Sequence, residues 1–81
     1  MVGVEKSAEL AKLYGNRSAA FYQLALAVEA ESGDCDEVSD ILQHALDDGL
    51  KSVELDASYE KGHFRLHYIT LHCDLWIFNM V

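Results

Sequence analysis

The chain has no proline, so no position along its 81 residues breaks a helix by ring geometry. It has two cysteines, Cys35 and Cys73, too few for a disulfide framework; two reduced thiols in a cytoplasmic protein are the simpler expectation. Basic residues are scarce, 6 against 14 acidic ones, and the net charge of −8 argues against a nucleic-acid partner. No long apolar run is present. The most apolar stretch, Tyr68–Val81, is interrupted by His72 and Asp74 and is too short to span a bilayer, so no membrane role is expected. The N-terminus lacks the basic-then-apolar pattern of a signal segment. Nucleophile elbow, glycine-rich phosphate loop and metalloprotease motif are all missing, which argues against an enzyme.

What remains is one small domain of globular composition, 51% hydrophobic and 25% charged. Its charge is unevenly placed. Ten acidic residues and one basic residue, Lys51, lie between Glu29 and Asp56, while five of the six basic residues lie in Lys6–Arg17 or Lys61–Arg65. Three helical stretches follow, at about 8–31, 35–55 and 59–78, and the fold class is all-α. Met1–Lys6 reads as frayed. Ser7 is a candidate cap, and Leu10, Leu13, Tyr14, Arg17, Phe21 and Leu24 keep helical spacing, with alanines between them that allow close approach. Ser32-Gly33-Asp34 signals a turn, and Asp34 with Glu37 three residues on resembles a capping box. Val38, Ile41, Leu42, Ala45, Leu46 and Val53 form a second apolar stripe, in which Gly49 costs about 1 kcal/mol relative to alanine. Ser58 is the expected cap of a third helix carrying Phe64, Leu66, Ile69, Leu71, Leu75 and Trp76.

Two segments answer one another. Tyr14-Gly15-Asn16-Arg17-Ser18-Ala19-Ala20-Phe21 is echoed by Tyr59-Glu60-Lys61-Gly62-His63-Phe64-Arg65-Leu66. A polar or basic pair four residues apart lies in or just before each, Lys12 with Asn16 and Lys61 with Arg65, which a helix places on one face. Together with Ala45, Ser52, Leu55 and Asp56, these residues resemble a tetratricopeptide repeat, closest to the repeats of chaperone-binding co-chaperones. The resemblance implies an antiparallel helical hairpin plus a third helix, about one and a half repeats. It also implies a carboxylate clamp for an acidic peptide such as an Hsp70 or Hsp90 C-terminus. Asn16 matches the clamp asparagine of one repeat, and Lys61 and Arg65 match the lysine and arginine of the next; Lys12 substitutes only loosely for a preceding repeat. The peptide-binding set is thus Lys12, Asn16, Lys61 and Arg65, with no cofactor.

The chain departs from the family in several ways. Tyr14 and His63 occupy equivalent positions 49 residues apart, where about 34 are expected. The excess falls between Leu24 and Ala45, either as an acidic loop or, in the preferred reading, as about two extra turns on each arm. His67 replaces a small packing residue, and Ala57 replaces the usual proline. The apolar end, Leu75 to Val81, matches nothing in the family and suggests a homo-oligomer through helix three. Two further readings stand beside peptide binding. One is a structural spacer or self-associating fragment with no peptide site. The other is a metal site on His63 and His67, for which no spacing rule supplies a third ligand; metal ligands are accordingly set at none.

Overall fold

A computed structural model describes the backbone of residues 4–80 and the side chains of residues 6–75. It is all-α: α1 (Val4–Glu31), α2 (Cys35–Leu55) and α3 (Glu60–Met80) follow in order, and no strand occurs among the described residues. The body measures 43 × 19 × 18 Å, its long axis matching the roughly 42 Å expected of a 28-residue helix. α1 and α2 form the antiparallel hairpin, and α3 lies parallel to α1 and antiparallel to α2. The segment between Leu24 and Ala45 is therefore helix on both sides of a short turn, not an acidic loop.

The turn follows from three residues. The N–H groups of Ser32 and Gly33 both reach the Val28 carbonyl, at 2.9 and 3.1 Å. Gly33 then takes a φ of 65°, the left-handed region where a side chain is strained. Asp34 caps α2, its Oδ1 accepting from the N–H groups of Asp36 and Glu37 at 3.1 and 3.2 Å. The other two expected caps are corrected. α1 begins at Val4, so Ser7 lies inside the helix and Val4–Lys6 are helical rather than frayed; nothing in those residues stops a helix from gaining another turn. Ser58 does not cap α3. Its N–H and hydroxyl both donate to Asp56 Oδ1, at 3.0 and 2.6 Å, because a carboxylate is the stronger acceptor. The cap position falls to Tyr59, whose carbonyl accepts from Gly62 and His63 at the start of α3.

The hairpin is zipped by small side chains. Ala11, Ser18 and Ala25 on α1 recur every seven residues, as do Val38, Ala45 and Ser52 on α2, and all six are fully buried. A seven-residue repeat keeps such residues on one seam of each helix. The two serines are satisfied across it: Ser18 Oγ donates to the Ala45 carbonyl at 2.6 Å, and Ser52 Oγ to the Ala11 carbonyl at 2.7 Å. The expected stripe of large residues on α1 is thus displaced. Leu13 and Leu24 are 63% and 48% exposed, because two backbones this close leave room only for the small residues between them. At one edge of the seam Arg17 grips Asp48 with two bonds, of 2.6 and 2.8 Å. That hydrogen bond, and then the carboxylate charge, raise the arginine pKa further.

All three helices meet at Ser52. A Cβ on Gly62 would lie 2.9 Å from Ser52 Oγ, and one on Gly15 would lie 3.0 Å from the Tyr59 ring and 3.0 Å from Arg65 Nη1. Glycine at both places lets α1 and α3 approach α2. Gly49, counted above as a cost, is buried between Ser18 and Leu66, where close packing offsets it. Further along, Ala25, Val38 and Leu42 form an apolar core with Tyr22, Val28, Ile41 and Cys73 packed on it. Burial there, followed by the nearby charge of Asp74, pushes the Cys73 thiol pKa up.

Candidate peptide-binding cleft

α1 meets α3 differently from the way it meets α2. Long polar and aromatic side chains bridge the two parallel helices. Tyr22 stacks at a tilt on Tyr68, 5.0 Å between ring centres, and meets His72 edge-on. His72 lies between the Tyr22 hydroxyl (3.4 Å to Nδ1) and Glu29 (3.1 Å from Nε2). Tyr22 is thereby shielded, and burial, ahead of the neighbouring Tyr68 and Glu29 charges, raises its phenol pKa. At the end where α3 begins, a space opens between α1, the α2–α3 loop and the first turn of α3.

That space is a cleft of about 620 Å³ lined by Lys12, Asn16, Asp56, Ser58, Tyr59, Glu60 and Lys61. Lys12 and Asn16 are one turn apart on α1. The α2–α3 loop supplies Asp56, Ser58 and Tyr59, and the first turn of α3 supplies Glu60 and Lys61. Arg65, one turn further along α3, does not line the cleft. It reaches back to α1, where Nη1 donates to Asn16 Oδ1 at 3.3 Å and lies 3.5 Å from the Tyr59 hydroxyl. With its oxygen so engaged, Asn16 has its amide nitrogen, two donors, available to a ligand. Lys12, Asn16 and Lys61 therefore share one cleft, and Arg65 stands behind Asn16 and orients it.

The cleft is less basic than the sequence implied. Asp56 and Glu60 stand among the two lysines, giving two cations and two anions. Both carboxylates lie within five residues of Lys61, so local sequence alone placed them close by. The Asp56 pKa is lowered by the Ser58 hydroxyl first, then by the Ser58 N–H, with a further contribution from Lys12.

His63 Nε2 is 2.7 Å from the Ala57 carbonyl, and His67 is exposed. No group of three or more His, Cys, Asp or Glu side chains able to hold a metal occurs among the described residues. No helix among them is long and apolar enough to cross a membrane. No family model, curated protein or solved structure matches the chain.

Proposed function

We propose that the chain is a protein–protein interaction module of tetratricopeptide character, cytoplasmic and not an enzyme. It binds the free C-terminal end of an acidic peptide, of the kind that ends a chaperone, in the α1/α3 cleft. The observation that carries this reading is the convergence of Lys12, Asn16 and Lys61 on one cleft, with Arg65 bonded to Asn16. A terminal carboxylate is met by the two ammonium groups and the asparagine amide. Asp56 and Glu60 favour a ligand that brings N–H or hydroxyl donors beside its anionic end, and disfavour one that is uniformly acidic. Affinity is modest, with Kd from tens of micromolar to millimolar, about −4 to −6 kcal/mol, because few donors converge and the chain's net charge of −8 opposes an anion. Added salt weakens binding.

The test is a calorimetric titration of free-acid and C-terminally amidated forms of one acidic peptide. The free acid binds wild type and the amidated form does not. Lys61→Ala and Arg65→Ala each weaken binding more than Lys12→Ala, the second by releasing Asn16. Equal binding of the two peptide forms, or indifference to both Lys61→Ala and Arg65→Ala, would refute the reading.

A further inference from the structure

The face of α3 turned away from α2 carries a second, unused pattern. Phe64, Tyr68, Leu71 and Leu75 are spaced four, three and four residues apart, the alternation that makes one seam of a coiled coil. Phe64, Leu71 and Leu75 are 72%, 49% and 63% exposed, and Tyr68 is half-buried. The same spacing reaches Phe78, whose side chain lies outside the described residues. The seam is braced from behind, since Phe64 meets Tyr68 edge-on at 5.8 Å and Tyr68 rests on Tyr22 of α1. The comparable line on α1 is Leu13, Arg17, Ala20 and Leu24, broken at its centre by a guanidinium and a small residue. Of the two lines, over the described residues, the one on α3 is continuous.

The flanks of this seam say what covers it. On the side towards α1, Arg65 and His72 are engaged within their own chain, by Asn16 and by Glu29 and Tyr22. On the other side stand His67 and Asp74, both exposed. If two copies of α3 pair in parallel, His67 of one copy faces His72 of the other, which Glu29 and Tyr22 already hold, and among the described residues no basic group meets Asp74. If they pair antiparallel about a two-fold axis near residues 69 and 70, Phe64 meets Leu75 and Tyr68 meets Leu71. His67 of each copy then lies beside Asp74 of the other. The arrangement is self-complementary: an imidazole N–H donor of each copy stands beside a carboxylate acceptor of the other, twice, as an isologous interface requires.

We propose that this face of α3 is a homodimer interface in which a second copy of the chain packs antiparallel, α3 on α3. The inference is independent of the peptide cleft. It is tested on the full 81-residue chain by sedimentation at concentrations up to about 1 mM, where even weak association is populated. Wild type is a dimer. Leu71→Glu and Leu75→Lys are monomers of unchanged helicity by circular dichroism, whereas Leu24→Glu, on α1 and as exposed as Leu71, remains a dimer. His67→Asp weakens the dimer several-fold by placing like charges together, and adding Asp74→Lys restores it. A monomeric wild type overturns the proposal, as does equal loss from Leu24→Glu and Leu71→Glu. Failure of the His67 and Asp74 pair of variants to weaken and then restore the dimer overturns the antiparallel register.

Discussion

The two flanks of α1 are made of different materials. Towards α2 it presents Ala11, Ser18 and Ala25, and the backbones come close enough for hydroxyls to bond directly to carbonyls of the opposite helix. Towards α3 it presents Asn16, Tyr22 and Glu29, which bridge through side chains. The first seam holds the hairpin together and is fully buried. The second has a cleft at the end where α3 begins, beside the place where Gly15 meets Tyr59 and Arg65. A helix with small residues on one flank and long polar ones on the other separates the two tasks, closure on one side and an accessible pocket on the other.

The largest effect is expected where α3 comes closest to α2, beside the closed seam. Gly62→Val places a branched side chain 2.9 Å from a buried serine oxygen that is already hydrogen-bonded. Ser52 cannot swing aside without losing the Ala11 carbonyl. Overpacking of this kind costs about 1–3 kcal/mol, more than valine regains as a better helix former than glycine. Urea denaturation followed by circular dichroism should show the loss. An unchanged or higher midpoint would mean that α3 is not fixed against α2 at this point.

A middle-sized effect separates the two flanks by their ion contacts. Arg17 holds Asp48, which is only 6% exposed, whereas Arg65 holds Asn16, which is exposed and neutral. Removing Arg17 leaves a shielded carboxylate without its partner, while removing Arg65 leaves an amide that water can satisfy. Arg17→Ala therefore lowers the thermal midpoint clearly, by less than Gly62→Val, and Arg65→Ala hardly moves it while weakening peptide binding. If the two arginine variants melt alike, the division between a closed and an open flank is wrong.

The sequence made the hairpin legible through its two stripes and the Ser32–Asp34 turn. Val38, Leu42 and Ala45 are buried as their spacing predicts. It misled where size stands in for burial. Leu13 and Leu24 look like core residues, but the buried line is the weakly hydrophobic one beside them, whose value lies in what it lets approach. The cleft was legible in part. Lys12 with Asn16, and Lys61 with Arg65, stand at the four-residue spacing that sequence reveals, and the first three of these line the cleft. Arg65 turning to Asn16 across 49 residues is a tertiary contact that no local spacing announces. Asp56 and Glu60 are close to Lys61 in sequence, but whether they share its cleft is decided by how the loop before α3 folds. Arg17 with Asp48, and His72 with Glu29 and Tyr22, were hidden for the same reason: each joins residues far apart in sequence.

The smallest expected effect lies at the rim of the open flank and appears only in acid. Asp56 closes the loop before α3 by accepting the Ser58 hydroxyl and N–H, bonds that favour the charged carboxylate and lower its pKa. A group whose folded pKa is depressed adds stability that is fully present above its unfolded value, about 3.9 for aspartate. That stability is lost as pH falls through the folded value. The contribution is therefore constant from neutrality down to about pH 4 and disappears only below that. Ser58→Ala removes the larger cause and raises the Asp56 midpoint towards the ordinary value; Lys12→Ala removes a lesser one and raises it less. Side-chain carboxyl shifts followed by NMR through an acid titration measure both. Identical Asp56 midpoints in wild type and Ser58→Ala would mean that the loop is not closed by this hydroxyl, and that the wall of the cleft formed by Asp56, Ser58 and Tyr59 is looser than the close packing beside it at Gly62.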